Sequence, residues 1–215
     1  MSNKLEKLID QLVKLHPKYI DLSLDRLKIL LKKLGNPENN LPPVIHVAGT
    51  NGKGSTISYI KNILEQHNYN VHCYISPHLE SFEERFIICN KQVKRKKLIN
   101  TLEYIKKING KNKITFFEIT TAAAFFLFSK EKADFTILET GLGGRLDATN
   151  VVKKTIIDII TPIGIDHQEY LGETIEKITK EKLGIIKEES TVIIGKQTTF
   201  CILNFPSQLH STQSF

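Results

Sequence analysis

Residues 49 to 56, Gly49-Thr50-Asn51-Gly52-Lys53-Gly54-Ser55-Thr56, gather glycines, hydroxyls and one lysine into a single short stretch. An apolar run from Val44 to Ala48 precedes it, and Ile57, Ile60, Ile63 and Leu64 follow at the spacing of one helical face. Strand, glycine loop and helix in that order suit a triphosphate. The glycines let backbone N–H groups close on phosphate oxygens, the helix N-terminus adds positive potential, and Lys53 supplies a point charge. The loop is a shortened variant of the general pattern. Its outer glycine position is Val47, and Gly54 stands where Ser or Thr usually follows the lysine, which leaves Ser55 or Thr56 to reach a metal.

Other residues point to the same end of the molecule. The strand-like run Phe135 to Thr140 carries Glu139 at its end, where a carboxylate beside a phosphate loop is the usual way to hold Mg2+. Gly141, Gly143 and Gly144 follow, but the third position of a dinucleotide fingerprint is Leu146, so that reading fails. A second strand, Val71 to Ser76, puts a hydroxyl at its carboxyl end, suited to a metal or a phosphate. Glu118 lies in the apolar stretch 115 to 129 and needs either a partner or an open cleft, unless it is an exposed first-turn carboxylate. Lys182 falls on the stripe formed by Ile175, Ile178, Ile185 and Ile186. A lysine there either snorkels to solvent or sits near a metal, where burial lowers its pKa and frees the amine to react.

The elements that must position these groups alternate between strand and helix. Residues 4 to 15 and 24 to 34 read as amphipathic scaffold helices, the second with Leu24, Leu27, Leu31 and Leu34 on one face, and His16 reads as a surface-loop residue. A short hairpin is expected around Asn90-Lys91, then a helix over 94 to 108, and a last strand over 155 to 161 ending near Asp166 and His167. Such alternation specifies an α/β fold, a mostly parallel sheet flanked by helices, with ligands at the strands' carboxyl ends. At 215 residues the chain is long enough for one well-buried domain and short for two. No apolar run approaches a membrane span and the start lacks a signal peptide's apolar region. Three scattered cysteines suggest neither a disulfide framework nor a thiolate metal site, so the cytosol is expected. The net charge is +7, yet the Lys91–Lys97 cluster has no aromatic ladder beside it; it reads as a solvated helix start that attracts anions, not as a nucleic-acid site.

Four runs in order, Val47 to Ser55, Ser76-Pro77-His78-Leu79, Glu139 to Asn150 and Asp166 to Gly172, resemble the folylpolyglutamate synthase and dihydrofolate synthase family of the Mur ligase superfamily. The resemblance covers about residues 20 to 197 and implies a P-loop NTPase-like Mur ligase central domain. It also implies an ATP-dependent amide ligase: the pterin substrate's carboxylate takes the γ-phosphoryl group, and the amine of L-glutamate displaces phosphate from the acyl phosphate. Carried over by motif, residues 49 to 56 with Lys53 bind ATP, and Ser55, Ser76, Glu139 and His167 hold Mg2+. Lys182 matches a lysine that becomes carbamylated. Pro77, His78, Arg85, Phe117, Glu118, Arg145 and Asp147 fall on the side of dihydropteroate or folate. Leu183 stands where the family commonly has alanine. The partners expected are the small-molecule substrates, dihydropteroate or folate and L-glutamate, with no nucleic acid and no membrane, and a monomer is expected.

The same resemblance sets expectations for organisation: a helical segment over 1–40 packed on the core, the ATP-binding domain over 41–197, and an atypical tail over 198–215. Family members run to roughly twice this length, so the domain carrying glutamate contacts is expected to be absent and the reading frame truncated. The rival function is then a remnant that keeps nucleotide binding without ligation. A cell-wall amino-acid ligase of the same superfamily is a third reading, disfavoured by Gly52-Lys53-Gly54-Ser55 and Ser76-Pro77-His78-Leu79.

Overall fold

The computed structural model describes residues 2–197, so the expected tail 198–215 lies outside the described residues. Strand β1 (Val44–Ala48) is buried along its whole length, as an unbroken apolar run covered on both faces should be. It lies at the centre of the sheet, parallel to β5 (Phe135–Glu139) on one side and β6 (Ile157–Ile160) on the other. β2 (Val71–Tyr74) continues the parallel pairing beyond β5, and β7 (Thr191–Ile194) beyond β6. The hairpin β3 (Phe86–Ile88) and β4 (Lys91–Gln92) adds two antiparallel strands at the far edge. The order is β4-β3-β2-β5-β1-β6-β7.

Side chains alternate across this sheet. Ile45, Val47, Val71, Cys73, Ile137 and Ile159 meet Ile57 of helix α3 (Lys53–Gln66) on one face. On the other, Tyr74, Phe86 and Leu138 pack under α4 (Arg95–Asn109) and α5 (Phe116–Phe128). α5 is apolar all round, and it is buried all round. Leucines 5, 8 and 12 of α1 (Ser2–Val13) and 27, 30 and 31 of α2 (Asp25–Lys33) close the same cluster from outside. A third cluster joins Ala48 and Ile160 to α6 (Gln168–Leu171) through Leu171, to α7 (Ile175–Leu183) through Ile178, and to Ile185 just beyond it. Lys94, Lys96 and Lys97 are exposed at the start of α4, as a solvated helix start requires. Among the described residues no helix is long and apolar enough to cross a membrane.

Several sequence expectations are corrected. The helix carrying Lys182 ends at Leu183, so Ile185 and Ile186 follow it as irregular chain and do not extend its stripe. Gly184 stops it at a close approach: a Cβ there would lie 2.4 Å from Cβ of Arg145. Ile63 is 58% exposed, because α3 meets the sheet through Ile57 with Ile60 and Leu64 half-buried. β7 and α6 were not expected; each is only four residues long, too short for periodicity to show.

Candidate active site at the carboxyl ends of the strands

The glycine loop leaves β1 at Gly49, whose φ of +150° and tight contact allow no side chain: a Cβ would fall 1.8 Å from Oγ1 of Thr161. The N–H groups of Thr50 and Asn51 both donate to the carbonyl of Pro162 (3.0 and 3.2 Å). Oγ1 of Thr50 donates to the carbonyl of Gly164 and accepts from its N–H. The loop is therefore bolted to the exit of β6. Gly52, at φ +82°, caps α3, and a Cβ on Gly52 or Gly54 would meet nothing within 4 Å. Lys53, Gly54 and Ser55 form the first helical turn, where backbone N–H groups have no intrahelical acceptor. Open space lined by such donors fits a polyphosphate.

Two lysines from distant parts of the chain meet on one atom of this loop. Nζ of Lys53 donates to the carbonyl of Gly49 at 3.2 Å, and Nζ of Lys182 donates to the same oxygen at 2.9 Å. Lys182 is only 4% exposed, so the snorkelling alternative does not hold. Burial, and then the charge of Lys53, bring its pKa down to about 8 against the opposing pull of Asp166 and Asp147. α7 reaches this position by lying against the glycine run after β5, where a Cβ on Gly144 would sit 2.6 Å from the carbonyl oxygen of Glu181.

Glu139, at the end of β5, is buried, and its Oε2 accepts the N–H of Ser76 at 2.9 Å. Burial pushes its carboxyl up, while that N–H and Lys53 pull it down, which makes it a carboxylate that a bound cation would relieve. Among the described residues no three His, Cys, Asp or Glu side chains are grouped to hold a metal. A metal at Glu139 would thus rely on hydroxyl, water and phosphate oxygens, the habit of Mg2+. Ser55 is exposed in the first turn of α3, and His167 is exposed at the left-handed N-cap of α6, with Nε2 3.6 Å from Oδ2 of Asp166.

Beside this loop opens a cavity of about 320 Å³ walled by residues 19–23, 115–118 and 141–148 in part, together with Ser76, Pro77, Arg85 and His167. Its carboxylates are tightly wired. Asp147 accepts the N–H groups of Gly141 and Leu142 on Oδ2, and the N–H and hydroxyl of Thr149 on Oδ1. Thr149 in turn meets Nε2 of His46, which burial holds neutral with a pKa of about 3. Glu118 is not the exposed first-turn carboxylate that was one alternative. It is a first-turn residue, closing a capping box with Thr115, and it is buried with a partner, the Nε of Arg26 at 3.2 Å. Arg85 is buried against the rings of Phe82 and Phe116, and among the described residues it makes no ion pair with a carboxylate. Pro77, Phe117 and these three line the cavity, but His78 and Arg145 do not. His78 accepts from Nε of Arg85 (3.0 Å), and Arg145 turns outward to pair with Glu181 (2.8 Å).

Residues 47–207 match the family model of the Mur ligase middle domain. The chain belongs to this Mur ligase family. It is 42% identical to the dihydrofolate synthase/folylpolyglutamate synthase of Haemophilus influenzae, over 91% of this chain and 44% of the relative. Among solved structures, it is similar to Escherichia coli FolC in complex with DHPP and ADP, with a TM-score of 0.85 and 38% identity over 89% of this chain and 46% of that one. A bifunctional folylpolyglutamate synthase/dihydrofolate synthase with Mn, AMPPNP and L-glutamate bound gives a TM-score of 0.81 and 35% identity, covering 91% of this chain and 47% of that one. The chain spans about half the length of the curated relatives it matches.

In this member of the Mur ligase family, sequence reasoning missed Arg26 and His46, which precede the matched residues, and Thr149 within them. Thr149 carried a usable signal, since an Asp two residues before a hydroxyl marks a capping turn. Arg26 carried none for its role in the cavity, because Glu118, the partner that ties it there, is 92 residues away.

Proposed function

We propose that this chain forms the nucleotide and pterin sites of an ATP- and Mg2+-dependent ligase that joins L-glutamate to dihydropteroate or a (poly)glutamylated folate. One observation carries the reading: Ser76 lines the cavity and its N–H donates to Glu139, the strand-end carboxylate that also feels the charge of Lys53, so the cavity borders the residue best suited to a metal. In the reaction, a carboxylate oxygen of the pterin substrate bonds to the γ-phosphorus of ATP as ADP leaves. The neutral amine of glutamate then attacks the acyl carbon, the C–O bond to phosphate breaks, and the amine proton is released. Mg2+, held by Glu139 with the hydroxyls of Ser55 and Ser76 and with His167, would spread the charge of the phosphoryl group. Lys53 and the amides of the first turn of α3 hold the phosphates. Arg85, a buried cation whose nearest polar partner is the neutral ring of His78 and whose charge reaches Glu139 only at a distance, suits an anionic or carbonyl group of the pterin substrate. At pH 7.5 an amine with a pKa of about 8 is roughly a quarter neutral, so Lys182 is competent to add CO2, forming an N–C bond and releasing a proton. ATP as substrate and the free thiol of buried Cys73 suit a cytosolic protein acting on small molecules.

The test is phosphate release by the purified chain with ATP, Mg2+, dihydropteroate and L-glutamate, beside Glu139→Ala. Glutamate-dependent release that is lost in the variant supports ligation by this chain. Binding of ATP and dihydropteroate without release favours the second reading, a nucleotide-binding module that does not ligate alone. Failure to bind either ligand overturns both.

A further inference from the structure

Residues 16–23 connect α1 to α2, and residues 19–23 form one wall of the cavity. Among the described residues, no backbone-to-backbone hydrogen bond ties residues 16–23 to the rest of the chain. Leu22 supplies an apolar contact with the cluster around α7. Among the described residues, Oγ of Ser23 accepts the N–H of Asp25 at the start of α2 (3.2 Å), and the polar link from the wall across to α5 runs through one guanidinium. Nη1 of Arg26 donates to Oδ2 of Asp21 (3.1 Å) and Nη2 to the carbonyl of Asp21 (2.7 Å), while Nε donates to Oε2 of Glu118 (3.2 Å). Asp21 also meets Nε2 of His16 at 3.3 Å, and the His16 side chain is 7% exposed, not the surface residue its sequence context suggested. Glu118 already accepts the N–H of Thr115 on Oε2, and its Oε1 is buried without a partner.

We infer that Arg26 is a positioning residue for the cavity, clasping the 19–23 wall to the Glu118 end of α5 so that the site is assembled before a ligand enters. The inference rests on the cavity being the pterin site proposed above. The chemistry favours arginine. A planar guanidinium offers five donors in a fixed fork, spread over three nitrogens that reach two carboxylates on separate elements, whereas an ammonium concentrates three donors on one atom and fixes no plane. The pairing also neutralises Glu118, whose burial beside an unpaired oxygen would otherwise be costly.

The experiment measures dihydropteroate and ATP–Mg2+ affinity, with amide hydrogen exchange over residues 19–23, in wild type, Arg26→Lys, Arg26→Ala, Asp21→Ala and the Asp21→Ala/Arg26→Ala double variant. Arg26→Lys keeps a cation against Glu118 and so protects the fold. We expect at least tenfold weaker dihydropteroate binding in both Arg26 variants, ATP affinity within twofold of wild type, and faster exchange over 19–23. The double variant should be no weaker than Arg26→Ala alone, because both changes open one clasp. Additive losses would mean independent ligand contacts and overturn the inference, as would unchanged exchange. If wild type fails to bind dihydropteroate, the pterin reading falls, while exchange over 19–23 still decides whether Arg26 holds the wall.

Discussion

The nucleotide loop and the neighbouring cavity are linked through Glu139, which accepts the N–H of the cavity residue Ser76 and feels the charge of Lys53, yet they handle charge in opposite ways. In the loop, two ammonium groups crowd onto the carbonyl of Gly49, and the first-turn amides of α3 face open space. In the cavity, Asp147 has its four acceptances filled by its own chain, and Glu118 is held by a cap and an arginine. The loop is an excess of donors awaiting an anion; apart from Arg85, the cavity's charges are already partnered. A polyanion needs open positive potential, whereas an uncharged ring needs rigid walls whose polar groups will not follow it.

The largest effect should be chemical. Lowering the pKa of Lys182 from 10.5 to about 8 raises its neutral fraction at pH 7.5 by roughly two hundredfold. Acylation of Lys182 followed by mass spectrometry should therefore show a midpoint near pH 8, and Lys53→Met should move that midpoint upward by removing the second cause of the depression. A midpoint near 10.5 would remove the contrast between the two regions. The same depression has a stability consequence. Between about pH 8 and 10.5 the unfolded chain binds more protons at this lysine than the folded one, so stability relative to Lys182→Met should rise with pH across that window.

Next in size, Lys53→Ala should weaken ATP–Mg2+ binding roughly 10- to 100-fold, the scale of a lost charge-assisted contact of about 1.5–3 kcal/mol. Dihydropteroate affinity, read by fluorescence titration, should barely change; an equal loss of both ligands would show that the regions are not electrostatically separate. Asp147→Asn should act through the fold, because an amide turns an NH2 toward donors that had faced a carboxylate oxygen. A loss of about 1–3 kcal/mol in urea unfolding is expected. The smallest effect is Ile63→Ala, within about 0.5 kcal/mol, since that side chain is mostly in water. A larger loss would mean that the face of α3 beside the nucleotide loop is covered in solution.

Much of this was legible in the chain itself. Pattern placed β1, the glycine loop and α3, because a buried parallel strand, a glycine cap and a helical face each leave a local signature. It placed Glu139 at a strand end and set Lys182 on an apolar face, and the structure buries both. The α7 stripe failed past Leu183 because apolar spacing continues where the helix does not. His78 and Arg145 fell in the right segments but face other partners, since spacing along a loop does not fix which way a side chain turns.

Order of elements, the phosphate-type loop and the family were therefore determined by the sequence alone, for these depend on contacts between near neighbours and on residue types at short spacing. Only the tertiary structure decided that Lys53 and Lys182 share one carbonyl, that His46 and Thr149 stand behind Asp147, and that Arg26 joins Asp21 to Glu118. Those pairings span up to 133 residues and form only when the sheet order brings strand ends together, which no local pattern encodes.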